Sequence, residues 1–251
     1  MPSRTCSAAA GSRGGSSVNW AVKRFYAAAD ARAVEDGFAI TLDGRIVKTP
    51  DDARLVVPTH DLAVAIAGEW AAQEKTVRPN TMPLARIAVA AIDQVRPDRR
   101  VIVDRLLAYV GTDLVCYRAE SPADLAARQE AAWRPLLDWT NAACGASFVV
   151  TTGIMPVAQP SATKRALDAA IEPFDDMEIA ALASATSATG SLVVALALGA
   201  GCVDAEEAFA AAMVDELFQE ERWGEDAESA ARRQALRREI HAAARFFDLV
   251  R

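Results

Sequence analysis

The side chains best suited to catalysis in this chain are few and scattered. Adjacent carboxylates occur at Glu35-Asp36, Asp51-Asp52 and Asp175-Asp176. Such a pair can divide general-acid and general-base work when burial raises one pKa. Each pair here stands in a polar stretch or at a helix start, where negative charge suits the positive end of the helix dipole, so none is read as catalytic. Only two histidines, His60 and His241, are present, and neither stands in a triad pattern. Cys6, Cys116, Cys144 and Cys202 form no CxxC pair, so no familiar zinc spacing exists and a reducing compartment is the simpler reading.

Nucleotide chemistry fares no better. The phosphate-loop pattern GxxxxGK[ST] is absent, which removes hydrolysis by that route. Leu192 to Leu198 followed by Gly199-Ala200-Gly201 superficially resembles a strand entering a dinucleotide loop, but the third glycine position is Asp204, an acid where phosphates must approach. Gly190-Ser191 lacks the GxSxG elbow and reads as the start of an apolar helix. The expectation is a protein with no catalytic residue, no cofactor and no metal. A small-molecule enzyme built from scattered carboxylates is the competing reading, and a deep polar pocket with perturbed acids would favour it.

The elements that must position any working residue begin with a strand. Gly37 to Leu42 alternates, with Phe38, Ile40 and Leu42 on one side and Ala39 and Thr41 on the other. Asp43-Gly44 follows, a pair that tolerates the positive φ of a two-residue hairpin turn, and Pro50 closes the second strand. Leu55-Val56-Val57 ends at Pro58, after which Thr59 or His60 caps a helix with Leu62, Ile66 and Trp70 at helical spacing. Pro79 and Pro83 mark a transition. Beyond it, helices are expected over Ile87–Asp93, Arg99–Tyr109, Pro122–Asn141, Ala162–Ile171, Asp175–Ser187 and Leu192–Leu198, followed by two more. Ser121 is the expected cap of the third, and Phe148 to Thr151 the one late strand. The last two helices run from Asp204, with Phe209, Met213 and Leu217 as an apolar stripe, to a break at Gly224, and then from the acids Glu225, Asp226 and Glu228 into Arg232, Arg233, Arg237 and Arg238. The fold class is therefore α+β: a flexible N-terminus over 1–22, a small mixed domain with a β-hairpin over 23–83, and a larger all-helical domain over 84–251.

Composition sets the outer bounds. With 251 residues, 52% of them hydrophobic, the chain can bury a large core. Its net charge of -7 advertises no nucleic-acid partner. The longest apolar run, Leu192 to Val203, is short of the roughly 20 residues that span a bilayer, so no membrane insertion is expected. The first 29 residues carry Arg4, Arg13, Lys23 and Arg24 and no acid. That suits either an organellar transit peptide or the flexible terminus of a bacterial protein. The second is favoured, which places the protein in a bacterial cytoplasm; the eukaryotic alternative is the mitochondrial matrix.

Several segments, in order, are similar to the F(1) ATP synthase alpha-subunit assembly chaperones. They are Lys23-Arg24-Phe25-Tyr26, Leu42-Asp43-Gly44-Arg45 with Lys48-Thr49-Pro50, and Leu62-Ala63 through Glu69-Trp70 with Gln73, Pro79 and Met82-Pro83. Further on come Thr112-Asp113-Leu114 with Cys116-Tyr117, Trp133 with Pro135-Leu136-Leu137 and Trp139, and Gly190-Ser191-Leu192. The last is Asp215-Glu216 with Gln219, Trp223-Gly224, Asp226 and Glu228. The resemblance spans roughly Lys23 to Phe247. It implies the two-domain architecture above and binding without catalysis, with the alpha subunit as a transient client and the chaperone a monomer.

On that reading the partner-binding candidates are Glu216, Gln219, Trp223, Asp226 and Glu228, with Glu69 and Trp70 as a second cluster. Glu216 beside an apolar stripe suits an arginine on the client. Asp226 and Glu228 equally suit a helix N-terminus. Trp70 and Trp223 fit a core lock as well as a binding anchor, because aromatic side chains dominate both settings. A permanent scaffold subunit of a larger complex is the third alternative.

Overall fold

A computed structural model describes residues 22–251; the N-terminus expected over 1–22 lies outside it except for Val22. The first hydrogen-bonded layer is built on a central strand. β1 (Val22–Lys23) is followed by β2 (Ala29–Val34), β3 (Gly37–Leu42), β4 (Arg45–Ile46) and β5 (Val56–Val57). β3 pairs antiparallel with β2 along its whole length, with β4 through Thr41 and Leu42, and with β5 through Phe38 and Ala39. The turn between β3 and β4 is Asp43-Gly44 with φ of 48° and 78°, the conformation that its residue types favour.

The expected alternation in β3 is overridden. Ala39, Ile40, Thr41 and Leu42 are all buried, because a strand paired on both edges and covered on both faces has no solvent side. Gly37 takes φ 136°, and a Cβ there would stand 2.5 Å from the Val57 carbonyl oxygen, so only glycine lets β5 approach.

α1 (His60–Ala71) packs on β2 and β3. Thr59 is its cap, accepting from the Leu62 amide, while its own hydroxyl donates to the Leu249 carbonyl near the C-terminus. β6 (Thr76–Val77) returns to pair antiparallel with β1. α2 (Pro83–Ala90) starts on a proline, whose missing N–H costs nothing there, and runs directly into a π-helical turn, Ala91–Val95. α3 (Arg99–Ala108) and two short 3-10 turns lead to β7 (Tyr117–Arg118), which pairs in parallel with β8 (Thr151–Thr152). The late strand is thus two residues long and lies at the end of the expected segment.

α4 (Ala123–Cys144) lies between β7 and β8 and ends at Gly145 with φ 69°. Its cap position is Pro122, with no side-chain hydrogen bond, so Ser121 does not play the role its type suggests. α5 (Ser161–Ile171), α6 (Asp176–Thr189) and α7 (Leu192–Gly199) follow. Asp175 and Glu178 form a reciprocal capping box on α6, which accounts for one acid of the Asp175-Asp176 pair. α7 is buried at every position, and a Cβ on Gly199 would stand 2.9 Å from the Phe247 ring. That glycine is therefore a packing position against the last helix and not part of a phosphate loop.

The helix expected to run unbroken from Asp204 is instead α8 (Ala205–Ala212) and α9 (Val214–Trp223), separated at Met213 with φ −113°. Ala211, Ala212, Met213 and Val214 are four consecutive buried residues, more than the single apolar stripe of a straight surface helix can hide. α10 (Ala227–Val250) closes the chain. α6 packs against α10, α7, α2 and α3, and the buried cluster continues without interruption from Tyr26 to Val250.

Candidate partner-binding surface

Glu69 and Trp70 stand on the last turn of α1, and both are turned inward. The Glu69 carboxylate accepts from the Leu84 amide at 2.9 Å and the Ala85 amide at 2.8 Å. These are orphan donors at the start of α2, so the acid caps a helix that begins fourteen residues later in sequence. Burial raises its pKa, and the two amide bonds oppose that rise. Trp70 is half-buried, edge-on to Tyr26 with ring centroids 5.8 Å apart, and the Tyr26 hydroxyl donates to its carbonyl at 2.7 Å. The buried indole Nε1 has no hydrogen-bond acceptor among the described residues. Gln73, on the same strip, donates to the Glu69 carbonyl and accepts from the Arg78 amide.

The C-terminal candidates are arranged in the opposite sense. Glu216, Gln219 and Trp223 follow one another at three and then four residues on α9, one face of a helix. Trp223 is 76% exposed, which removes the core reading for this tryptophan. Gly224, φ 87°, ends α9 directly behind it. Glu216 is half-buried and Gln219 exposed, and neither makes an ion pair or side-chain hydrogen bond among the described residues.

The base of this face is held firmly. Phe218 is buried with Arg128 and Arg222 over its ring, at 5.1 Å and 4.5 Å from its centroid, while Arg222 pairs with Asp124 and Arg128 with Glu221. Asp215 accepts from the buried Gln129 of α4 at 2.6 Å, and Trp133 of α4 donates to the Ala211 carbonyl at 2.7 Å. Asp226 spends its carboxylate on the Glu228 and Ser229 amides at the start of α10, and the Ser229 side chain first, then these amide bonds, lower its pKa. Glu228 is exposed and makes no ion pair among the described residues. The acids thus divide into those that stabilise helix ends, Glu69 and Asp226, and those left open, Glu216 and Glu228.

Sequence reasoning missed two features. Ile154 and Met155, 93% and 76% exposed, project from the segment after β8, and the adjoining Gly153 lies against the Glu120 side chain. This loop and Trp223 therefore flank the same N-terminal end of α4, since Arg222 reaches Asp124 there. An apolar pair between Gly153 and Pro156, without helical or strand period, was the available signal. The second is Asp113, wholly enclosed, which accepts from the Ser191 hydroxyl and from the Leu192, Val193 and Val115 amides. Burial pushes its pKa up to about 6 against the pull of those bonds. It sits at the N-terminus of α7, and the neighbouring Cys116 thiol is pushed up to about 12 by burial and by the Asp113 charge. Neither is a reagent. Among the described residues no group of three or more His, Cys, Asp or Glu is close enough to hold a metal, and no helix is long and apolar enough to cross a membrane.

Comparison with known proteins locates this architecture. The crystal structure of Atp12 from Paracoccus denitrificans is 37% identical and superposes with a TM-score of 0.84, covering 92% of this chain and 99% of that one. This chain belongs to the ATP12 chaperone family. The family model, described as the ATP12 chaperone protein, matches residues 23–141. A solved protein from Agrobacterium tumefaciens is 38% identical with a TM-score of 0.86, over 91% of this chain and 86% of its own. The mitochondrial protein atp12 of Schizosaccharomyces pombe is 25% identical over 214 residues, 80% of this chain and 74% of that one. The resemblance carried by the sequence motifs, to the F(1) ATP synthase assembly chaperones, is borne out, and so is the α+β class. ATP12 membership covers α9 and α10 as well, because the structural matches extend beyond the part that the family model spans.

Proposed function

We propose that this ATP12-family chaperone holds the unassembled alpha subunit of F(1) ATP synthase, covers its aggregation-prone face, and yields it to the beta subunit as the F(1) sector forms. It binds and releases without chemistry, uses no cofactor, and works as a monomer. The observation that carries the client face is Trp223, a large aromatic held in solvent on a helix whose base is locked by Phe218 and three ion-paired arginines. Rigid aromatic anchors beside unspent charges are what a binding surface needs, because little side-chain freedom is lost on docking.

Glu216, Gln219 and Glu228 offer acceptors around that anchor, and Ile154 and Met155 add apolar area at the same end of α4. Glu69 and Trp70 support this face only through the fold. The greater likeness to bacterial relatives than to the mitochondrial one favours the bacterial cytoplasm.

The test is light scattering of isolated F(1) alpha subunit, warmed with and without an equimolar amount of the protein, with beta subunit added afterwards. Suppressed aggregation that ends in an alpha–beta complex free of the chaperone is the expected result. A complex that persists after beta is added would point to a permanent subunit, and absence of suppression would remove the client assignment.

A further inference from the structure

A large cavity lies away from Trp223, where the N-terminal sheet meets the helices. It is a cleft of about 1210 Å³, above the usual range of roughly 300–1,000 Å³ for small-molecule sites. It is lined from α2 and the π-helical turn by Val89, Ala90 and Gln94, and from α3 and α6 by Ile102, Ala183 and Ser187. Most of its lining residues are apolar, and those from α6, Ala180, Ala183, Ser184, Ser187 and Ala188, are small.

Three cations and one carboxylate line the cleft, in a chain whose net charge is -7. Arg86 is engaged by Glu239 at 2.9 Å and Lys48 by Asp52 at 2.7 Å. Arg105 has neither an ion pair nor a hydrogen bond among the described residues. Trp70 also borders the cleft, with its indole Nε1 enclosed.

We infer that this cleft takes an apolar, acid-bearing segment of the client polypeptide, a second docking point distinct from the α9–α10 face. The inference rests on the chaperone reading above. The aliphatic lining takes the segment's apolar side chains, and Arg105 meets its carboxylate. The chain's own first 21 residues carry Arg4 and Arg13 and no acid, the wrong sign for this lining. An apolar groove is a form in which amphipathic segments are commonly captured.

The experiment places the photoreactive residue p-benzoylphenylalanine at Gln94, exposed within the cleft, and in a separate protein at Gln219 on α9. Each is irradiated with isolated F(1) alpha subunit and the crosslinked peptides are mapped. The Gln94 probe is expected to capture one alpha-subunit segment rich in apolar residues and carrying an acid. Arg105→Glu should weaken alpha-subunit binding about tenfold with an unchanged melting temperature, and Arg105→Lys should restore most of it. A silent Gln94 probe beside a reactive Gln219 probe overturns the cleft proposal and leaves the chaperone reading standing. Capture at Gln94 of only a second copy, or of the chain's own N-terminus, overturns it as well. Silence at both positions, with no suppression of aggregation, removes the chaperone reading itself.

Discussion

Two tryptophans, each in a cluster with a glutamate, meet opposite fates in this molecule. At the end of α1, Glu69 is consumed by the Leu84 and Ala85 amides and Trp70 packs edge-on to Tyr26. On α9, Trp223 at the last position stands 76% exposed and Glu216 in the first turn has no polar partner among the described residues. Both clusters lie on helix ends and both are part of the family resemblance, so residue type and local pattern do not separate them. What separates them is the next element in space. α2 begins against the Glu69 carboxylate, whereas Gly224 turns the chain away behind Trp223. The first cluster serves stability and the second is available for recognition.

The sharpest way to break this contrast is to truncate the inward tryptophan. Trp70→Ala should lower unfolding free energy by about 3 kcal/mol, the scale of large-to-small losses in a packed site, read by urea denaturation. An unchanged midpoint with lost client binding would reverse the assignment. Asp113, the most enclosed acid, extends the inward class to pH. Its folded pKa of about 6 lies above the reference value of 3.8, so its contribution is fully present below pH 4 and declines as pH rises through 6. The stability advantage of the wild type over Asp113→Asn should therefore shrink by roughly 2–3 kcal/mol between pH 4 and pH 7; a gap constant with pH would show that the group does not titrate there.

Glu69→Gln leaves one amide oxygen for two backbone donors and should cost about 1–2 kcal/mol, with hydrogen exchange accelerating first at the start of α2. For the outward cluster the expected order inverts. Trp223→Ala should weaken alpha-subunit binding about tenfold or more, while its unfolding midpoint moves by no more than about 0.5 kcal/mol. Glu216→Lys should have the smallest effect on the fold, again within about 0.5 kcal/mol, yet reduce protection of the warmed alpha subunit. A melting temperature many degrees lower would transfer Glu216 to the structural class.

Much of the local structure was legible in the residues. Asp43-Gly44 specified its turn, Thr59 capped α1, and the acids at Asp175 and Asp204 opened their helices, because these signals act over three or four residues. The misreadings share one cause. Ser121 does not cap α4, the Asp204 helix breaks at Met213, and β3 is buried on both faces because of packing contributed by distant segments. The pairing of β1 with β6 and of β7 with β8 was invisible, since two-residue strands carry no period. At the candidate surface, the sequence pointed to the helix-pair residues of α9 and α10, but Asp226 is occupied as a cap, and Ile154 and Met155 had no pattern to mark them.

By itself, then, the sequence determined the family, the α+β class, the turn and cap chemistry, and the poverty of the chain in catalytic groupings. Those follow from composition and from interactions between near neighbours. Only the tertiary structure decided which glutamate is spent on a helix end, which tryptophan faces water, and that a carboxylate as ordinary in sequence as Asp113 is enclosed at the root of α7. The reason is physical. Burial and hydrogen-bond satisfaction depend on groups far apart in sequence, Val193 and Asp113 by 80 residues and Leu249 and Thr59 by 190, and no local pattern records which donors the fold will bring to a given acid.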